Sequence, residues 1–174
     1  MSAIEIGTAI FHRTRGVGRV VDMELRSWGG KETHYLVVEM LADDYTIRIP
    51  ETSPDIRPVL ADTEVIFETL HNKANALPGH YRTRQAEIRD AVSSGVPKKI
   101  AAAARDLWAY SESKQGNWTT GGERLYNQAL EMLAAEIAAS QNCNMDEAKS
   151  RVRKAMCREV DTPEELPSSD GDDQ

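Results

Sequence analysis

Residues 34–50 read His-Tyr-Leu-Val-Val-Glu-Met-Leu-Ala-Asp-Asp-Tyr-Thr-Ile-Arg-Ile-Pro. Runs 35–40 and 45–49 are rich in β-branched and aromatic side chains, and Leu41, Ala42, Asp43 and Asp44 between them read as a turn. In the second run Tyr45, Ile47 and Ile49 alternate with Thr46 and Arg48, which makes one face apolar and puts Arg48 on the other. Pro50 has no N–H for a ladder and ends the strand. A lone hairpin buries too little to be stable in water, so the flanking chain must complete a small barrel around it.

The flanks supply the strands. Residues 5–12 and 17–25 read as the first two, separated by a turn at Arg13, Thr14, Arg15 and Gly16, and Gly29-Gly30 closes a loop that carries Arg26 and Trp28. After the break at Ser53-Pro54, residues 56–60 supply a fifth. Five short strands with turn signals between them predict a strongly bent Tudor/SH3-like β-barrel over residues 1–60. Gly16-Val17-Gly18 lies between strands and reads as a turn, not as a phosphate cradle.

Beyond residue 60 the pattern is helical, so the fold class is α+β. Residues 62–72 read as a short helix capped by Asp62, and 72–79, with two Asn, a Pro and a Gly, as a linker; together they make a connecting region, 61–79. A compact all-α domain over 80–160 follows. Its first helix stops at Gly95, its second has Pro97 in the first turn, and its third opens on the capping box Thr120-Gly121-Gly122-Glu123. Asn144 caps the last. Residues 161–174 have the composition of a disordered acidic tail.

The net charge of −7 is unevenly placed. Residues 159–174 carry seven acids and no base, which leaves 21 bases and 21 acids over residues 1–158. A neutral body with a local basic patch is compatible with nucleic acid. No apolar run approaches a membrane span, and the first ten residues lack a basic n-region, so neither membrane insertion nor a signal peptide is expected. Cys143 and Cys157 have no metal-ligand spacing and read as thiols in a reducing compartment. His12, His34, His71 and His80 are scattered without triad order or metal spacing. No catalysis, metal or cofactor is expected.

The hairpin ending Thr46-Ile47-Arg48-Ile49-Pro50, the segment Ser93-Ser94-Gly95 with Arg105-Asp106-Leu107-Trp108 downstream, and the helix start between Gly121 and Tyr126 together resemble the CarD/CdnL family of bacterial transcription regulators. The joint order and spacing of these motifs, over residues 5–158, carry the resemblance. It implies that a Tudor-like module, similar to one in transcription-repair coupling factors, docks on the lobe of the RNA polymerase β subunit. It also implies that the helical module contacts promoter DNA at the upstream fork, without sequence specificity, and stabilises the open complex. Arg26 and Arg48, with Ile47 and Ile49 beside them, match the docking region. Many members carry a tryptophan wedge at the start of the first C-terminal helix. Here that position is Tyr81, a departure that implies a weaker wedge.

Tyr81, Arg82, Arg84, Arg89, Lys98 and Lys99 form the expected DNA-contacting set, a modest basic face with an aromatic at its tip. The bland alternative is a tyrosine packed in the core and solvated charges. Arg48 likewise could serve only to discourage edge pairing. Trp108 and Trp118 read as structural. Lys149, Arg151, Arg153, Lys154 and Arg158 could touch phosphates or hold the acidic tail in cis. The expected protein is a cytoplasmic, monomeric regulator, associated with the nucleoid through polymerase. The alternative is a protein–protein adaptor whose helical domain does not bind DNA.

Overall fold

The computed structural model describes residues 4–113 and 119–157. Five strands, β1 (Ala9–His12), β2 (Gly16–Trp28), β3 (Lys31–Met40), β4 (Thr46–Pro50) and β5 (Ile56–Pro58), precede five helices, α1 (Glu64–His71), α2 (Tyr81–Ser93), α3 (Pro97–Ser113), α4 (Thr120–Gln141) and α5 (Met145–Met156). The α+β class and the element order follow the sequence pattern closely. Trp118, Arg158 and the acidic tail lie outside the described residues.

The expected barrel is not closed. The strands form one antiparallel sheet in the order β4-β3-β2-β1-β5, which leaves β4 and β5 at opposite edges. From the short β5, Arg57 binds α4 while Ile56 stays with the sheet, and the Leu60 N–H, expected in a strand, donates to the Glu136 carboxylate at 3.0 Å instead. Closure is replaced by a helical lid over one edge.

β2 and β3 are longer than their sequence pattern suggested. Gly29 and Gly30, both at positive φ (59° and 81°), make a two-residue turn directly between Trp28 and Lys31. Paired positive-φ positions match the right-handed twist of the flanking strands and suit glycine. Arg26 and Trp28 therefore stand on a strand, not in a loop. Gly16 and Gly18 likewise belong to β2; a Cβ at Gly18 would lie 2.5 Å from Val38 Cγ1.

Two apolar clusters fill the molecule. The smaller joins Ile10, Val20, Leu36, Val38, Met40 and Ile49 under the sheet. The larger runs through the helices and takes in Phe11 and Val17 from the sheet, so the strands and helices share a core. Helix α1, expected as part of a connecting region, buries Ile66 and Leu70 in that core, against α3 and α5. Asp62 accepts the Glu64 N–H at 2.9 Å, although Thr63 occupies the cap position. At α4 the cap is Thr119, which accepts from the Gly122 N–H, one residue earlier than the capping box suggested. Asn144 caps α5 through the Glu147 N–H as expected. No helix among the described residues is long and apolar enough to cross a membrane.

One polar cluster joins sheet to helices. Glu136, only 1% exposed, receives Arg57 through two contacts, Nη1 at 2.6 Å and Nη2 at 2.9 Å. The same guanidinium donates to the Gly95 carbonyl and lies 4.0 Å above the Phe11 ring. Removing Arg57 would strand a buried carboxylate, which costs about 3–5 kcal/mol. We predict that Arg57→Ala lowers the urea midpoint accordingly. The double change Arg57→Met with Glu136→Leu should recover most of the loss, and strict additivity of the two single changes would refute this account.

Candidate polymerase-docking face and nucleic-acid groove

A β-bulge decides what the sheet presents. Arg19 pairs with Glu39 and Val20 with Val38, but the register then shifts, so Asp22 rather than Val21 opposes Val37. Before the shift the odd residues of β2 face outward; after it the even ones do. Glu24, Arg26 and Trp28 therefore share the outer face with Tyr35 of β3 and Arg48 of β4. The Glu24 carboxylate bridges the two expected docking arginines: Arg26 donates at 2.7 and 2.9 Å, and Arg48 Nε at 3.2 Å to both oxygens. The hydrogen bonds from Arg26, and then those from Arg48, hold the Glu24 pKa below the ordinary carboxylate value. Arg26 also lies 5.8 Å from the Tyr35 ring centroid.

Because β4 covers β3 only from Tyr35 to Glu39, the rest of β2 and β3 projects as a bare two-stranded ribbon. Trp28 at its tip is 89% exposed and Leu25 is exposed as well. Ile47 and Ile49 do not belong to this face. The alternation that sends Arg48 outward turns both inward, where Ile49 is buried and Ile47 packs against the smaller cluster. Beside Arg48, β4 offers a partner Thr46, the half-buried Pro50 and its outer backbone edge.

In the helical part α2 and α4 begin side by side. A Cβ placed on Gly121 would come within 2.9 Å of the Tyr81 hydroxyl, so only glycine leaves that ring its position. Between the two helices runs a groove of about 590 Å³, with Arg82 and Arg89 on one wall and Arg124 on the other. Tyr81 stands at its mouth, 48% exposed. Two helix N-termini meet there; Thr119 takes the Gly122 N–H, and the other first-turn N–H groups favour negative charge. Among the described residues none of these three arginines makes an ion pair or hydrogen bond.

Arg84 belongs to the core, which corrects its expected role in DNA contact. It is 6% exposed, donates to the Pro78 and Gly79 carbonyls at 2.8 and 3.1 Å, and lies 4.5 Å from the Tyr110 ring centroid. It sits four and eight residues before Ile88 and Val92, on the apolar stripe, and roughly 200° around the helix from Arg82. Its work is to tie the 72–79 segment down, with help from Asn75, which binds the Asp106 carboxylate of the buried Arg105–Asp106 pair. Lys98 and Lys99 are exposed, but at the start of α3, a helix length of about 20 Å from Tyr81. They do not join the groove. Trp108 packs on Tyr126, consistent with a structural role.

Sequence reasoning missed Glu24, Trp28 and Arg124. Reading Gly29-Gly30 as a two-residue turn and counting back by twos would have put Glu24, Arg26 and Trp28 on one face. Nothing local marks Arg124, because its partner wall comes from another helix.

Arg82 and Arg84, two residues apart, should behave oppositely in thermal unfolding. Arg84→Ala removes the two hydrogen bonds to the Pro78 and Gly79 carbonyls and empties a buried position beside Tyr110, and should cost about 1–3 kcal/mol. Arg82→Ala should stay within about 0.5 kcal/mol of the parent. Equal effects would mean that α2 is rotated from the orientation described.

The family comparisons agree with this architecture. A model described as the CarD-like/TRCF RID domain matches residues 4–59, which is the sheet, and one described as the CarD C-terminal domain matches residues 65–153, which are the helices. The two matches abut across the segment between β5 and α1. The chain belongs to the CarD/CdnL family of RNA polymerase-interacting transcription regulators.

Proposed function

We propose that the outer sheet face binds the lobe of the RNA polymerase β subunit while the α2–α4 groove contacts promoter DNA at the upstream edge of the bubble, modulating open-complex stability. The observation that carries the DNA part is the half-exposed Tyr81 at the head of three arginines that have no ion-pair partner among the described residues, where two helix N-termini converge. Guanidinium groups and helix N-termini suit phosphates, and the ring can press against an unstacked base step. The docking part is supported by the family and by Arg26 and Arg48, both oriented by Glu24 beside an unpaired strand edge. A strand edge flanked by arginine and aromatic side chains fits a partner that adds a strand. Because the Arg57–Glu136 bridge joins the two parts, a docked sheet carries the groove to a fixed place.

Two measurements test the reading. Full-length protein should bind a purified β-lobe fragment saturably, and Arg48→Glu should abolish that binding with the melting temperature unchanged. Glu24→Gln should weaken it, by releasing both arginines from their shared orientation. On fork-junction DNA, replacing Arg82, Arg89 or Arg124 by Gln should each lower the log–log salt slope by about one, and Tyr81→Ala should cost roughly 1–3 kcal/mol. DNA affinity indifferent to all four changes, with lobe binding intact, would leave the adaptor reading in its place.

A further inference from the structure

The charge left over by this assignment lies in residues 159–174, which carry Glu159, Asp161, Glu164, Glu165, Asp170, Asp172 and Asp173 and no base. They account for the whole net charge of −7. We propose that this segment docks in cis into the α2–α4 groove, on Arg82, Arg89 and Arg124, and competes there with nucleic acid.

Geometry supports the groove over the nearer basic helix. Helix α5 runs back along α4 after the short turn at 142–144, so its end returns toward the start of α4. Arg153 and Cys157 both act on the Tyr126 hydroxyl. Tyr126 follows Leu125, which lines the groove. Cys157 thus lies across α4 from the groove, a helix diameter of about 10–12 Å from Arg124, with Arg82 and Arg89 farther off on α2. Sixteen residues can span roughly 50 Å when extended, so reach is ample. A tether this short gives an effective concentration on the order of millimolar, enough for a weak ionic contact to be populated.

Charge pairing points the same way. On α5, Arg151 is already paired with Glu147 and hydrogen-bonded to Gln141, Lys149 approaches Glu131 and Arg153 engages the Tyr126 hydroxyl, which leaves Lys154 as the one base of that helix without a partner among the described residues. The groove arginines have no such partners among the described residues, and the two helix N-termini beside them add positive potential. Leu166, within the run Glu164-Glu165-Leu166, supplies an apolar side chain for the Leu125 and Tyr81 surface of the same groove.

The competition rests on the DNA reading; the docking does not, and the test separates them. Arginine Nε–Hε NMR spectra of the full chain and of a chain ending at residue 158 should differ at low salt for Arg82, Arg89 and Arg124. The difference should vanish as salt is raised and in a full-length variant with the seven acids changed to Asn or Gln. On DNA, the shortened chain should bind roughly three- to tenfold tighter at low salt. That gain should disappear when the three arginines are replaced by Gln. Superimposable arginine spectra, or shifts confined to α5, would overturn the docking. Shifts at the three arginines with no DNA binding by either chain would uphold the docking and refute the DNA reading instead.

Discussion

The contact between Arg57 and Glu136 is the constraint on which the rest of this molecule depends. A carboxylate only 1% exposed must be paired, and the partner comes from the last strand of the sheet. The same carboxylate takes the Leu60 N–H, and the same guanidinium takes the Gly95 carbonyl and the Phe11 ring. Four segments far apart in sequence thus meet at one ion pair. With Phe11 and Val17 sunk into the helical core, the sheet cannot swing as an independent module. Gly95 at φ +71° lets the chain pass there, since a Cβ would lie 2.8 Å from the Arg13 side chain.

A rigid joint matters because the two proposed surfaces are made by different elements. The sheet face depends on the bulge after Val20, which flips parity so that Glu24 and Arg26 meet Arg48 across three strands. In an unbulged register, with Val21 opposite Val37, Arg26 would turn toward the apolar side and Glu24 would leave Arg48 alone. The groove depends on α2 and α4 starting together, which Gly121 permits by leaving room for Tyr81. Small residues here set where charged ones stand.

Most of the fold was legible because its signals are local. Alternation in 45–49, the helix stop at Gly95, Pro97 in a first turn and Asn144 as a cap each rest on neighbours in sequence, and each element stands where expected. The failures are failures of distance. Barrel closure depends on whether β4 meets β5, two strands at opposite edges of the sheet, and Arg57 of β5 is paired instead with a glutamate 79 residues away. Arg84 was grouped with Arg82 by charge, although its spacing from Ile88 and Val92 marks the buried stripe; periodicity should have outranked composition there. Ile47 and Ile49 stand next to Arg48 in sequence, but the alternation of the strand puts them on the opposite face.

The site arginines divide by what holds them. Arg26 and Arg48 are oriented by Glu24, whose depressed pKa keeps it ionised at any pH above the ordinary carboxylate range. The pair therefore offers a directed but partly neutralised charge, suited to a protein partner for which geometry counts more than long-range attraction. Arg82, Arg89 and Arg124 have no such carboxylate among the described residues, so their field is available to any polyanion. On the proposed reading, one surface would serve selectivity and the other non-specific attraction, the division of labour that a regulator recruited by a protein and acting on DNA of any sequence needs.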